Sequence, residues 1–238
     1  MSIAVVADAH LGGPGGDGDE LAAQLRELPQ RGCRRLVLLG DIFHVWVGSR
    51  RFETPEVRKL MPVLRGLRDR GVRVDYIEGN RDFFLDTSPY VDAFDSIGLE
   101  LSFEVGGRRV LAVHGDGLND RDRQYRAWRW LSKSPPVRFL VLRLPDALAQ
   151  RAVAGTEQRL AQTNFKHRDR LPEESIVAYG TRRLGEGHDL LLLGHFHEPR
   201  LWQLERGAVR VVDAWFRSRR VEWLGDESAD DDPPNAVS

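Results

Sequence analysis

At 238 residues the chain is long enough for one well-buried domain, or for one domain carrying a small insertion. Its hydrophobic and charged fractions of 41% and 30% are those of an ordinary globular protein, and a net charge of -1 gives no global bias toward nucleic acid. Cys33 is the single cysteine, which excludes an internal disulfide and disfavours a thiolate metal site, leaving His, Asp and Asn as the ligands to look for.

In chain order, residues 3–7, 35–39, 72–77, 110–113 and 190–193 are apolar, β-branched runs of the kind that form strands buried on both faces. Helical patterns at 20–30 and 55–70 separate the first three, each ending near a glycine, Gly32 or Gly71, that can stop a helix. This β-α-β-α-β rhythm predicts a layered α/β fold. Further strands are expected at 99–105, 200–205 and 209–215, separated by glycine turns, as an antiparallel portion or second sheet. Residues 117–175 break the pattern. They show helical stretches and no evident strand, and carry twelve Lys/Arg against seven Asp/Glu, a balance of +5. They read as a helical cap, dividing a core of residues 1–116 and 176–225. Residues 226–238 are acidic and proline-bearing and read as a disordered tail. The first ten residues lack the basic region of a signal peptide, and no run of about eighteen apolar residues could span a bilayer, so a cytoplasmic location is expected.

Five short blocks of ligand chemistry each follow an apolar run: Asp8-Ala9-His10, Gly40-Asp41, Gly79-Asn80-Arg81-Asp82, His114-Gly115-Asp116 and Gly194-His195-Phe196-His197. Together they supply seven oxygen and nitrogen ligands, enough to hold two metal ions side by side. Asp8 and His10 stand two apart, a spacing at which extended backbone points both side chains one way. The absence of a side chain at Gly40 lets the chain turn and face the Asp41 carboxylate forward, where its two oxygens suit it as the bridging ligand. Asp8, His10, Asp41 and His197 are expected at one ion, and Asp41, Asn80, His114 and His195 at the other. Mixed N/O ligands suit Mn²⁺, Fe, Zn or Co rather than Ca. Such a pair activates a bridging water for in-line attack on phosphorus and clamps the phosphate oxygens. Single histidines elsewhere (His44, His167, His188) are given structural roles. It is the joint occurrence of five blocks in one order that points to metal-dependent hydrolysis of phosphoester or phosphoanhydride bonds.

This ordered set resembles the calcineurin-like metallophosphoesterase superfamily over nearly the whole chain except the insertion and the tail. The resemblance implies a four-layer αββα sandwich and a di-metal site. Finer features are similar to the UDP-2,3-diacylglucosamine hydrolases (diphosphatases) of lipid A biosynthesis: GDIFHVWVG at 40–48, GNRDFFL at 79–85 and HGDGLNDRDRQYRAWR at 114–129. The likeness implies Mn²⁺ as the metal, a nucleotide-linked glycolipid as substrate, and cleavage to UMP and a diacylglucosamine 1-phosphate. The cap would take the acyl chains. It further implies substrate contacts from Asn80, Arg81, Asp122, Tyr125, Asn164, Lys166, His167 and His195, with Asp41, Asn80, Arg81 and His114 doing the catalysis. The chain departs from the family at Ser49-Arg50-Arg51, where acidic residues are usual, and at Asp213-Ala214-Trp215, where a glycine is.

Arg81 has physical content of its own, because most of the superfamily has histidine there. Expelling an alkoxide calls for a proton donor, and an arginine cannot serve near neutrality. It can pair with phosphate oxygens through its fork. A leaving phosphate, with a second pKa of about 6, needs no such proton. Arg81 therefore favours phosphoanhydrides over alkyl phosphoesters. Asp82 and Asp116 are expected to orient the ligands. Apolar residues at 139–144, laced with Arg138, Arg143 and Arg151, suit acyl chains or peripheral contact with the anionic inner membrane, or else a self-packed helix pair. Two alternatives stay open: another nucleotide or phosphodiester substrate on the same site, and a non-catalytic scaffold. Sequence leaves the oligomeric state unknown.

Overall fold

A computed structural model describes residues 2–118, 127, 130–143, 145 and 171–225. The first five apolar runs become the centres of two sheets. In the first, β1 (Ser2–Val6), β2 (Cys33–Leu38), β4 (Arg73–Ile77) and β6 (Ser96–Gly98) run parallel, and β12 (Glu222–Leu224) closes the β1 edge antiparallel. In the second, β8 (Arg108–Val113), β9 (Leu190–Leu193) and β11 (Gly207–Val211) are parallel. There β7 (Glu100–Val105) and β10 (Arg200–Leu204) form antiparallel edges.

Side-chain alternation along each strand decides the layers. On β1, Ala4 and Val6 face α1 (Gly18–Glu27) and α2 (Pro55–Asp69), packing with Leu21, Leu25, Leu60 and Leu64. Ile3 and Val5 face the other way, into a second core shared with Phe103, Val110, Ala112 and Leu192 of the facing sheet. The outer face of that sheet, Leu111, Val113, Leu191 and Val209, packs on Ile176 and Leu184 of α4 (Glu173–Gly185). Helix, sheet, sheet and helix make the expected αββα sandwich. Strands covered on both faces have no use for polar alternation, which explains their continuous apolar sequence.

The helices begin where local chemistry allows. The Asp17 carboxylate accepts from the N–H groups of Asp19 and Glu20 at 3.0 Å, and Thr54 caps α2 ahead of Pro55. The run expected at 209–215 is shorter than predicted. β11 stops at Val211, and the chain turns into a one-turn helix, α5 (Trp215–Ser218). The cause is Trp215, fully buried, whose indole N–H donates to Gln24 of α1 at 2.9 Å and draws the backbone out of the sheet. α4 begins at Glu173, inside the stretch read as insertion. Earlier in that stretch lies α3 (Pro135–Arg143). The acidic tail at 226–238 lies outside the described residues.

Candidate metal centre

Every ligand block sits beyond the end of a strand on one side of the sandwich: Asp8 and His10 after β1, Asp41 after β2, Asn80 after β4, His114 after β8, His195 and His197 after β9. The first two loops lie side by side. Asp8 N–H donates to the Gly40 carbonyl at 3.1 Å, His10 N–H to Asp41 at 3.1 Å and Leu11 N–H to Ile42 at 2.9 Å. Parallel pairing thus continues past the strands themselves.

The backbone there is not extended. Seven non-glycine residues among those described have a positive φ, and five of them are expected ligands: Asp8 (49°), His10 (47°), Asp41 (52°), His195 (69°) and His197 (56°). For side chains other than glycine this left-handed region costs roughly 1–3 kcal/mol per residue, and such strain gathers at functional sites. It also corrects the expectation that Asp8 and His10 share a face of an extended strand. β1 ends at Val6, and both side chains are turned to the centre by left-handed backbone instead. Two glycines make room for the result. A Cβ on Gly40 would collide with the His114 ring, and one on Gly79 with the Asp41 carboxylate.

Two groups of converging ligand atoms follow, each within 4.8 Å: Asp8, His10 and His197, and Asp8, Asp41 and His114. Asp41 was expected as the shared ligand, and the carboxylate common to both groups is Asp8. Its Oδ2 accepts the His195 N–H at 2.8 Å, and its Oδ1 lies 3.1 Å from His197 Nε2. Asn80 Oδ1 lies 3.3 Å from His114 Nε2, completing the second group with a neutral oxygen. The His195 ring stands edge-on to His114 at 5.2 Å between centroids.

These residues fit divalent-cation binding. His114 Nδ1 is 2.9 Å from the Leu39 carbonyl, which can only accept, so a proton sits on Nδ1 and Nε2 is the atom turned toward Asn80 and Asp41. Against its burial, the charges of Asp41, Asp8 and Asp116 raise this histidine, so ligation here would displace an Nε2 proton. The Nε2 atoms of His10 and His197 face each other at 3.3 Å beside the Asp8 carboxylate, and His10 Nδ1 is buried with no hydrogen-bond partner. Lone pairs and carboxylates aimed at a common point are what a cation requires and what hydrogen bonding alone satisfies poorly.

Electrostatics follow from the crowding. Burial opposes ionisation of Asp8, yet the charges of His197, His114 and His10 and the hydrogen bond to His197 hold its carboxyl below the usual carboxylate range. Burial raises Asp41, against the pull of His114 and Arg81. Burial and then the Asp41 charge push Asp82 up to about 7. Burial drives His10 well below its ordinary value, and burial together with the His114 charge lowers His195 to about 4. At neutral pH both imidazoles are unprotonated, as ligation demands.

Arg81 is buried beside Asp41, with its Nε 3.5 Å from Oδ2, its Nη1 donating to the His44 carbonyl at 3.1 Å and its N–H donating to Asp41 Oδ1 at 2.9 Å. Asp82, as expected of an orienting group, accepts from the N–H groups of Asp41 (3.1 Å) and Gly79 (2.8 Å). Asp116 is buried, and its charge is among those that favour His114 protonation. His188 is structural, bonded to Ser102 and the Arg183 carbonyl.

Asp8, His10, Asp41, Asn80, Arg81, His114, His195 and His197 thus come together. Asp122, Tyr125, Asn164, Lys166, His167 and Arg151 lie outside the described residues. Three contributors had no sequence signal: Tyr76, whose hydroxyl donates to Asp82 at 3.0 Å; Phe216, whose ring packs on those of His10 (5.2 Å) and His197 (5.1 Å); and Lys133. The positions of Phe216 and Lys133 depend on pairing distant segments, and none of the three belongs to a recognisable motif.

No protein-family model matches the chain. A UDP-2,3-diacylglucosamine hydrolase from Pseudomonas putida is 31% identical over 239 aligned residues, covering 94% of this chain and 90% of that protein. The Pseudomonas fluorescens protein of the same name is 31% identical over 222, covering 88% and 86%. Among solved structures, an archaeal phosphodiesterase covers 90% of this chain and 84% of its own at 12% identity and a TM-score of 0.43. On sequence identity sustained over almost the full length of both proteins, the chain belongs to the UDP-2,3-diacylglucosamine hydrolase family.

Proposed function

We propose that the chain is a di-metal pyrophosphohydrolase that splits UDP-2,3-diacylglucosamine into UMP and 2,3-diacylglucosamine 1-phosphate. The observation that carries this reading is the convergence of two ligand groups on Asp8 beside a buried arginine, in a chain of this family. Asp8, His10, Asp41 and His197 would hold one divalent ion and Asp41, Asn80, His114 and His195 the other, with the Asp8 carboxylate within reach of the second as well and Mn²⁺ the ion expected. When bound, such a pair lowers the pKa of a water to provide the nucleophile and neutralises phosphate oxygens.

The remaining work falls to the chain's own groups. His114 keeps its Nδ1 proton on the Leu39 carbonyl and so presents Nε2 in one fixed orientation. Asp82 ties the Asp41 and Gly79 backbones together, fixing the distance between two ligand loops. Arg81 faces the site with a permanent charge suited to an oxygen of the scissile pyrophosphate. It offers no proton, and a departing phosphate monoester needs none.

The substrate's lipid portion suits the insertion. Among the described residues Trp130, Leu131, Phe139 and Leu140 are exposed, between 55% and 76%, and Arg143 stacks on Phe139 at 4.3 Å. A surface of exposed apolar groups with cations beside them fits acyl chains or an anionic bilayer. No helix among the described residues is long and apolar enough to cross a membrane. The alternative of a polar, non-lipid substrate has no structural observation in its favour.

The deciding experiment incubates the purified chain with Mn²⁺ and a panel of UDP-sugars, acylated and not, and follows UMP. Release from the 2,3-diacyl substrate alone, lost on Asp41→Ala, is expected. Equal release from unacylated UDP-sugars would overturn the lipid assignment, and no turnover with any divalent metal would leave a scaffold role.

A further inference from the structure

The loop carrying Asn80 is fixed from three sides. The Gly79 N–H donates to Asp82 Oδ2 at 2.8 Å, and the Gly79 α-carbon abuts the Asp41 carboxylate so closely that no Cβ would fit. The third contact comes from outside the α/β core. Lys133, just ahead of α3 in the insertion, places its Nζ 2.8 Å from the Gly79 carbonyl oxygen and 3.2 Å from Glu78 Oε2, and lies over the Phe83 ring at 5.9 Å.

Lys133 and Glu78 are largely enclosed, with side chains 16% and 14% exposed. A pair so shielded is better able to hold a geometry than a surface ion pair, whose worth is small. The same segment also touches the core through Arg138 on Asp86 (3.2 Å) and through the Leu142 carbonyl, which accepts from Arg51 (2.8 Å). Those two contacts lie past β3 (Trp46–Val47) and β5 (Asp82–Phe83) and touch no ligand-bearing loop. Lys133 alone of the three reaches the peptide next to an expected ligand. The Gly79 carbonyl belongs to the peptide bond that leads into Asn80, so its direction sets the Asn80 backbone and with it the Oδ1 that faces His114.

We propose that Lys133 is a positioning residue that couples the insertion to the Asn80 loop and thereby sets the affinity of the ion held by Asn80, His114 and His195. The inference rests on the di-metal reading above. Removing the lysine frees the Gly79–Asn80 peptide to rotate and leaves the Asp8, His10 and His197 group untouched, because that group is built on β1 and β9. Outer partners of ligands are worth about 10–100-fold in metal affinity.

The test compares wild type, Lys133→Met and Lys133→Arg. Methionine keeps an apolar stem against Phe83, and arginine keeps a donor and the charge. Mn²⁺ binding is measured by calorimetry and by bound metal per chain after dialysis at defined free Mn²⁺, with Tm, kcat and KM alongside. The expected result is one tight ion retained in Lys133→Met, the second weakened by about 10-fold or more, kcat recovering at high Mn²⁺, Tm near wild type, and arginine restoring part of the affinity. Two ions bound as tightly in Lys133→Met as in wild type would overturn the inference, as would equal weakening of both ions with a fall in Tm. Wild type binding fewer than two ions would instead defeat the di-metal reading itself. The two failures are therefore distinguishable.

Discussion

Asp8 Oδ2 accepts the backbone N–H of His195 at 2.8 Å, across 187 residues of chain. One carboxylate thereby links the loop after β1, in the first sheet, to the loop after β9, in the second. The metal centre is consequently a seam between the two sheets, and its ligands are brought together only when the sandwich closes. Because Asp8 belongs to both ligand groups, Asp8→Ala is expected to lower the affinity of both ions and to reduce UMP release by more than the ~10–100-fold typical of an outer partner. Metal analysis showing one ion lost and one retained would contradict its shared position.

The proposed role of Arg81 is to favour anhydride over alkyl-ester substrates. Arg81→Ala should cost about 10²–10³ in kcat on a pyrophosphate-linked substrate, the scale for losing one preorganised charge-stabilising donor. Arg81→His should raise hydrolysis of an alkyl phosphodiester relative to the anhydride, because imidazole can protonate an alkoxide. If wild type cleaved alkyl phosphodiesters faster than pyrophosphates, the preference assigned to arginine would be wrong.

Asp82 gives the metal-free protein a pH signature of known sign. Its folded value of about 7 lies above the ordinary 3.8, through burial first and then the Asp41 charge. The folded state therefore binds more protons between these values, and the contribution of Asp82 to stability, full below ~4, is lost as pH rises through ~7. Asparagine imitates the protonated form. In chelator-treated protein, the Tm of Asp82→Asn minus that of wild type should grow steadily from pH 4 to 7. A difference that stays flat across that window would show that Asp82 does not titrate there.

Gly79→Ala probes the closeness of the ligand loops. A methyl group there overlaps the Asp41 carboxylate, so the loop must shift and carry Asn80 with it. Loss of activity with weakened metal binding is expected, together with a stability cost of about 1–3 kcal/mol, the scale of overpacking a tight site. Denaturant melts and metal titration check both parts, and wild-type metal affinity in the variant would refute the crowding.

The exposed apolar residues of the insertion are testable apart from catalysis. Phe139→Glu with Leu140→Glu should reduce sedimentation with anionic lipid vesicles several-fold, since both side chains are more than half exposed and acidic groups repel that surface. Unchanged sedimentation would remove this face from any membrane contact.

Much of this centre was legible before folding was considered. Apolar runs ending in Gly-Asp or His-x-His advertise strand ends with ligands, because a strand buried on both faces has one local signature and metal chemistry has another. Asp82 could be read from its place in GNRD. The left-handed backbone at Asp8 and His10 could not, because alternation assumes extended strand and nothing local marks where it ends. The role of Trp215 in shortening β11 was equally hidden, since its partner Gln24 lies 191 residues earlier. The contacts expected from Asp122, Tyr125, Asn164, Lys166 and His167 rest on resemblance alone.

The αββα layering came from the resemblance, while residue chemistry and its spacing determined by themselves a layered α/β fold, the ligand types and their places at strand ends. These are properties of short windows, and burial and coordination act on them directly. Tertiary structure alone decided that Asp8 is common to both ligand groups, that Phe216 packs on the ligand histidines, and that Lys133 grips the Asn80 loop. Each depends on contacts between segments far apart in the chain, whose positions follow from strand order and sheet packing rather than from any local period.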